Sequence, residues 1–184
     1  MTERKPFSHL DEAGTARMVD VSEKPVTRRV AEASCRVRLG ADTVGRLAEL
    51  PKGDAIAVAR LAGIQGAKAT STLVPLAHPL PLDQVEVEIV PDAQGVTIRS
   101  RVVATARTGA EMEALAACAT AALALYDMVK AVERGAVIGE LRLDRKSGGR
   151  SGEWTHPDST HPDAAAAQPT PAAEQPATPT GRER

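Results

Sequence analysis

The chain has 184 residues, a formal net charge of −1 at pH 7 and only three aromatic residues, Phe7, Tyr126 and Trp154. The near-neutral balance excludes binding of nucleic acid through overall charge, and the shortage of aromatic residues predicts a core of Val, Leu, Ile and Ala. Cys35 and Cys118 lack metal-type spacing, and we find no secretory leader and no apolar run that predicts a membrane span. We therefore expect a cytoplasmic protein with reduced thiols.

The C-terminal end differs in composition from the rest. Residues 155–184 contain six prolines and no large apolar residue. Such a segment cannot bury enough surface to offset its ordering entropy. We predict one domain over residues 1–154, with about ten loose residues at its start, followed by a disordered Pro/Ala-rich tail over residues 155–184.

The first half of the domain predicts one strand and two helices. Apolar residues alternate with arginines over residues 33–39, which indicates a strand. Asp42 is placed to cap a short helix reaching about Leu50. Asp54 is placed to cap a second helix over residues 55–71, whose two glycines predict close packing or a nearby ligand.

A proline-rich connection and a hairpin follow. Residues 73–82 contain three prolines, so we expect a rigid, mostly apolar connection. Residues 85–89 alternate valine or isoleucine with glutamate, which predicts a strand with one wet face. Residues 91–95 read as a turn, and residues 96–106 as its partner strand.

The last part predicts a long helix and a final strand. Thr108 and Glu111 match a capping box that opens a helix over residues 110–132. Gly135 is predicted to close this helix, and residues 136–143 form the last strand.

This order predicts an α+β, ferredoxin-like βαββαβ fold with an extra short helix and an antiparallel sheet with its helices on one face. The open face of such a sheet is available for association. The long helix is apolar almost all round, so we expect it to be covered on more than one side, by the sheet and by a second subunit.

Asp127 and Lys130, two charged residues in that apolar helix, need an explanation. Between Glu113 and Asp127 the helix carries no charge, and Lys130 follows three residues later. At about 100° per residue, these three side chains fall on one helical face. One interpretation is a structural ion pair at the end of a core helix. The other is a proton-transfer pair on a dry face, where burial and pairing bring the pKa values toward neutrality.

Other polar residues suggest an anionic ligand. Lys146 opens a Gly/Ser loop that also contains Arg150, and Lys52 precedes a predicted helix N-terminus. Both places are also compatible with ordinary exposed basic loops. His78 lies between prolines in the stiff connection, where it is either a hydrogen-bonded structural residue or a ligand-binding one. We assign Glu111 to capping.

Several motifs together resemble one family, the cyclic pyranopterin monophosphate synthases (molybdenum-cofactor biosynthesis protein C). The resemblance covers about residues 7–154 and leaves out only the tail. Its motifs are MVDVS (18–22), KGDAIAVARLAGIQGAK (52–68), PLAHPL (75–80), VEVE (85–88), TGAEMEAL (108–115), LYDMVKAV (125–132) and IGELRLDRKSGGRSG (138–152).

The resemblance implies a ferredoxin-like homohexamer, a trimer of dimers with active sites at the dimer interface. It implies a lyase that converts 3′,8-cyclo-7,8-dihydroguanosine 5′-triphosphate to cyclic pyranopterin monophosphate and releases diphosphate, without a nucleic-acid or membrane partner. It further implies that Asp127 and Lys130 are the catalytic acid/base pair. The residues implied to bind substrate are Leu76, Ala77, His78, Met112, Glu113, Lys52 and Lys146.

Two positions depart from the family pattern. Ala77 replaces a cysteine found in many members, and Arg150 replaces a lysine. We expect little loss from either, although arginine presents its charge with a different geometry. The sequence identifies no cofactor, and Mg²⁺ remains open as a companion of the triphosphate. The alternatives to an enzyme are a non-catalytic module that binds a nucleotide or pterin, and an assembly scaffold.

Overall fold

The computed structural model describes residues 14–159. The first ten residues, predicted to be loose, lie outside the described residues, and so does the predicted tail beyond residue 159. Residues 155–159 are described and lie beside the edge of the sheet, where the His156 amide donates to the carbonyl oxygen of Asp144 over 2.7 Å.

One antiparallel sheet carries the fold, with strand order β2-β3-β1-β4-β5. Its first four strands have the order of a ferredoxin-like domain, so the predicted α+β class and βαββαβ core are confirmed. The short elements α3 and β5 were not predicted. The strands are β1 Thr27–Arg38, β2 Leu82–Asp92, β3 Gly95–Ala106, β4 Val137–Ser147 and β5 Trp154–Thr155. The helices are α1 Ala41–Val44, α2 Ala55–Lys68, α3 Thr70–Leu73 and α4 Glu111–Val129.

Small residues let the two long helices lie close together and close to the sheet. On β1, the side chains that face the helices alternate along the strand and are buried: Ala31, Ala33, Cys35 and Val37. A Cβ added to Gly63 of α2 would stand 3.0 Å from the Ala117 carbonyl oxygen of α4. The close packing predicted from the glycines of α2 is therefore confirmed.

The helix starts were predicted with mixed success. Asp54 caps α2, since its carboxylate accepts from the amides of Ile56 (2.9 Å) and Ala57 (3.0 Å). Asp42 caps nothing: Gly40 is the N-cap of α1. The helix predicted to reach Leu50 ends at Val44, because the hydrogen bonds then tighten into three-residue turns.

The start of α4 at Glu111 lies within one residue of the predicted start, but the caps predicted for its two ends were both wrong. Ala110 is its N-cap and no side chain caps it. The carboxylate of Glu111 pairs instead with Lys146, over 3.2 Å, so the capping box with Thr108 does not form. At the other end, α4 stops at Val129 and continues as turns, so Gly135 lies too far along the chain to close it.

By length and composition alone, α4 is also the one helix among the described residues that could cross a membrane. Half of that stretch is buried, and the helix packs against β1, β3 and α2. This is the position of a core helix in a ferredoxin-like domain.

Candidate active site

The first functional cluster lies at the C-terminal end of α4 and consists of Lys52, Asp127 and Lys130. We call it the lysine–aspartate cluster. Lys130 Nζ lies 2.7 Å from Asp127 Oδ1, and Lys52 Nζ lies 2.7 Å from Asp127 Oδ2. Lys52 Nζ also donates to the Asp127 carbonyl oxygen over 2.8 Å. Each oxygen of one carboxylate thus receives a different lysine, and both cations sit where the helix dipole favours positive charge.

The two ammonium groups hold Asp127 in its ionised form. Hydrogen bonds from Lys130 and then Lys52 lower the pKa of Asp127 to about 2. The same pairing raises the pKa of Lys130. The side chains of Asp127 and Lys130 are 53% and 50% exposed in the single chain. The interpretation as a dry face with pKa values near neutrality, one of the two that the sequence left open, is therefore wrong for the isolated subunit, because α4 presents this cluster to solvent.

A second site is a cleft of about 470 Å³ at the other end of α4. We call it the cationic cleft. Two carboxylates, Glu23 and Glu111, oppose its positive charge, which leaves a net charge of +3 on the lining. Its five cationic side chains are Lys24, Arg29, Arg107, Lys146 and Arg150.

The wall of the cationic cleft after β4 is a glycine turn. Gly148 and Gly149 have φ values of +95° and +73°, and a Cβ on Gly148 would collide with the Arg28 carbonyl oxygen. This turn lets the chain return so that Ser151 Oγ lies 3.0 Å from Lys146 Nζ. The predicted basic Gly/Ser loop therefore borders the cationic cleft.

A third site, a pocket of about 350 Å³, adjoins the cleft and shares Lys24, Glu111 and Arg150 with it. We call it the histidine pocket. Its lining includes five of the seven residues predicted to bind substrate: Leu76, Ala77, His78, Met112 and Glu113. His78 Nε2 lies 2.8 Å from the Val19 carbonyl oxygen. Because a carbonyl only accepts, Nε2 carries the proton, and this nitrogen anchors the segment that leads into β1.

Glu113 is the titratable group of the histidine pocket. The residue is only 4% exposed, and burial, with a smaller contribution from nearby Glu111, raises its pKa to about 7. A carboxyl group with this pKa is present in both forms near neutrality, as proton transfer requires. The sequence placed Glu113 near a ligand but gave no reason to expect this shift, which depends on tertiary burial.

Within one subunit the predicted residues form two groups. Glu113 and Asp127 are fourteen residues apart on one face of α4, which at 1.5 Å per residue is about 21 Å along the helix. The two residues lie on the same side of the helix, as the sequence predicted, but toward its opposite ends. The lysine–aspartate cluster therefore does not share a pocket with Glu113 or Lys146 of its own chain.

Sequence reasoning missed three cations of the cleft: Lys24, Arg29 and Arg107. The order of the strands in the sheet would have indicated that Arg29 and Arg107 lie near Lys146. β1 is antiparallel to both β3 and β4, so the start of β1 lies beside the ends of the other two strands. Arg29 lies near the start of β1, Arg107 directly follows β3 and Lys146 lies near the end of β4. Their positions at strand ends predict one shared edge once the strand order is known.

A ferredoxin-like domain with a cationic cleft, an adjoining pocket that holds a titratable carboxyl group, and a lysine-clamped aspartate is an enzyme for an anionic small molecule. Within residues 14–159, no group of three or more His, Cys, Asp or Glu side chains is arranged to hold a metal ion. The MoaC family model matches residues 18–149. The chain belongs to the MoaC family.

Three curated relatives that the chain resembles carry the name cyclic pyranopterin monophosphate synthase. The protein of Thermomicrobium roseum is 54% identical over 156 residues, which cover 83% of this chain and 94% of the relative. The protein of Streptomyces coelicolor is 53% identical over 151 residues, 81% of this chain and 89% of the relative. The protein of a Nocardioides species is 52% identical over 156 residues, 82% of this chain and 96% of the relative.

Proposed function

We propose that this chain converts 3′,8-cyclo-7,8-dihydroguanosine 5′-triphosphate to cyclic pyranopterin monophosphate and releases diphosphate. It is then a phosphorus–oxygen lyase of early molybdenum cofactor (molybdopterin) biosynthesis. The observation that carries the proposal is the family match over residues 18–149, which spans every predicted site residue. The relatives named for this synthase are matched over most of their own length.

The two adjoining spaces suit the two parts of this substrate. The cationic cleft, with its net charge of +3, is opposite in sign to a triphosphate that carries about four negative charges. The guanine-derived ring system then lies in the histidine pocket, among Leu76, Ala77 and Met112. Protonated Glu113 donates a hydrogen bond to a ring acceptor there, and its ionised form takes a proton back.

The lysine–aspartate cluster supplies proton transfer in this proposal. In the free chain Asp127 is a weak base, because two ammonium groups stabilise its charge. A phosphate group that competes for Lys52 weakens this stabilisation and raises the basicity of Asp127. Lys130 remains beside it as the proton donor, and the cations of the cleft stabilise diphosphate as it leaves.

A second subunit brings the two groups of residues together. Along α4, the solvent-facing stripe runs through Met112, Ala116, Ala119, Leu123 and Asp127, and Leu123 is among the exposed large apolar residues. A two-fold axis near Ala119 pairs this stripe with itself in antiparallel fashion. The partner's Met112 then lies opposite Asp127.

We propose that the active site is completed in this way. Each lysine–aspartate cluster faces the histidine pocket and cationic cleft of the other subunit, and burial under the partner supplies the dry surroundings that the single chain lacks. The complete particle in this proposal is a homohexamer, a trimer of such dimers. We also propose that it works in the cytoplasm, where Cys35 and Cys118, both free thiols, stay reduced.

The direct test is turnover of the purified substrate, with diphosphate and the pterin product measured separately. We expect both products from the unaltered chain and neither from Asp127→Asn. The synthase of Thermomicrobium roseum serves as the positive control. Absence of diphosphate under conditions in which that protein is active would refute the proposal, and tight binding without turnover would indicate the non-catalytic module instead.

A further inference from the structure

A segment that precedes β1 forms a wall of two of the three spaces described above. It consists of residues 18–24, and we call it the strap. Val19, Val21 and Lys24 line the histidine pocket, and Lys24 also lines the cationic cleft. The position of the strap therefore affects the shape of both spaces, although the strap lies outside the helices and strands.

The strap is tied to the rest of the domain near each of its ends. The Val19 carbonyl oxygen accepts from His78 Nε2 over 2.8 Å, and the Lys24 carbonyl oxygen accepts from Arg107 Nε over 3.2 Å. Val19 and Val21 are half-buried, and the other residues of the strap are exposed. Because so little apolar surface is buried, the position of the strap depends mainly on its hydrogen bonds.

The bond to the Val19 carbonyl fixes which nitrogen of His78 carries the proton. Nε2 is the donor to this carbonyl, so Nδ1 of the neutral ring has a free lone pair and can only accept. No group of the residues that the structure describes forms a hydrogen bond with Nδ1. Since His78 lines the histidine pocket, its ring supplies an acceptor to a ligand there.

Asp20 forms a turn directly after Val19. Its Oδ1 accepts from the Ser22 amide over 2.9 Å and from the Ser22 hydroxyl over 2.7 Å. This is an Asx turn, in which a side-chain oxygen takes the place of a backbone acceptor. The bond from the Ser22 amide, and then the bond from its hydroxyl, lower the pKa of Asp20, so the carboxylate is ionised near neutral pH. A backbone turn follows, in which the Lys24 amide donates to the Val21 carbonyl oxygen over 3.0 Å.

We propose that Asp20 is a positioning residue of the histidine pocket. Its turn holds the Val19 carbonyl against His78 Nε2, and His78 Nδ1 then accepts a hydrogen bond from an N–H or O–H group of the ligand. Asp20 is exposed and is not among the described residues that line the pocket, so it acts through His78. The identity of the ligand rests on the proposed function: the N–H groups of its guanine-derived ring are donors that suit this acceptor.

Substitutions of Asp20 distinguish a positioning role from an effect of charge. Asp20→Ala removes the turn, so we expect KM to rise about ten-fold, because the strap is then in place in only about a tenth of the molecules. We expect kcat to stay nearly unchanged. Asp20→Asn keeps an oxygen that accepts from the Ser22 amide, so its KM should stay within about two-fold of the unaltered chain. If Asp20 acted through its charge, both variants would bind the anionic ligand more tightly.

Asp42→Ala is the matched control, since it makes the same substitution at an exposed aspartate of α1 that caps nothing. It should leave KM unchanged.

Two further measurements show whether Asp20 acts through His78. In a His78→Ala background, Asp20→Ala should have no further effect on KM, since both changes remove the same contact. Nitrogen-15 NMR of the imidazole rings in the ligand-free chain should show His78 with Nε2 protonated and Nδ1 unprotonated, and a mixture of both tautomers in Asp20→Ala. The His78 signals are those absent from His78→Ala.

An unchanged KM in Asp20→Ala would overturn the inference, and so would an equal rise of KM in the two backgrounds. His78 signals that are identical in the unaltered chain and in Asp20→Ala would also overturn it. Failure of the proposed function shows differently, as a lack of turnover in the unaltered chain. The NMR comparison needs no substrate and still tests the role of Asp20 in that case.

Discussion

Lys52 Nζ lies 2.7 Å from Asp127 Oδ2, a contact between residues 75 positions apart in the sequence. The loop after α1 thereby brings a second cation to a carboxylate that Lys130 already pairs on its own helix. A structural ion pair needs only one partner for Asp127. Two cations on one half-exposed carboxylate make a group that is ready to exchange one of them for an anionic ligand.

Removing either lysine should therefore impair turnover with little effect on folding. Exposed ion pairs contribute little to stability. We expect Lys52→Ala and Lys130→Ala each to lower kcat/KM by about 10²-fold or more, with the fold of each subunit retained. Lys68→Ala, which removes an exposed lysine at the end of α2, is the control. Near-normal turnover in both variants would leave the cluster with a structural role only.

Glu113 should make the stability of the chain depend on pH. Its pKa is about 7 in the folded chain and near its ordinary value of 4.5 in the unfolded one. The folded state thus binds more protons between these values, so stability falls as pH rises from about 4.5 to about 7 and is level above that. The loss amounts to about 3 kcal/mol.

Glu113→Gln removes this titration while keeping the shape of the side chain. We expect the variant to match the unaltered chain near pH 4.5 and to melt about 6–12 °C higher at pH 8. Melting curves across this pH range check the expectation. Glu88→Gln, an exposed carboxylate on β2, should show no such difference. Equal melting temperatures for Glu113→Gln and the unaltered chain at pH 8 would mean that Glu113 is hydrated.

Arg107 should strengthen substrate binding in two ways: it contributes a positive charge to the cationic cleft, and its hydrogen bonds hold the neighbouring residues Lys24 and Arg29 in place. Its Nε donates to the Lys24 carbonyl oxygen over 3.2 Å, and its own carbonyl oxygen accepts from Arg29 Nη2 over 3.3 Å. We expect Arg107→Gln to raise KM about ten-fold with a smaller change in kcat, because a cation is lost from the cleft. Steady-state kinetics at two ionic strengths check this. The KM of the unaltered chain should also rise more steeply with salt than that of the variant.

The architecture could be predicted from the sequence because the local sequence patterns favour the same elements that the fold contains. The strand alternation, the Asp54 cap and the glycines of α2 each predicted a feature that the structure contains. The N-terminal cap of α4 was mispredicted because tertiary pairing overrode a local motif: Glu111 binds Lys146 rather than a backbone amide.

The candidate site was predicted as a set of residues but not as an arrangement. Motifs named the residues of the histidine pocket and of the lysine–aspartate cluster, yet helical angles alone could not show that these groups lie about 21 Å apart. Arg29 and Arg107 were missed because only the strand order brings their ends of the sheet together. The raised pKa of Glu113 arises from burial, which no local pattern encodes.

The separation of the two groups gives the sharpest test of a shared site. If each site takes Asp127 from one subunit and Lys146 from the other, a mixed dimer of Asp127→Asn and Lys146→Ala chains holds one site with both defects and one intact site. Equal amounts, mixed after reversible dissociation, should recover about a quarter of normal activity, since half of the dimers are mixed. Asp127→Asn mixed with Lys130→Ala is the control and should recover none, because both defects fall in the same cluster. No recovery in the first mixture, with subunit exchange demonstrated by mass spectrometry, would show that each chain carries its own complete site.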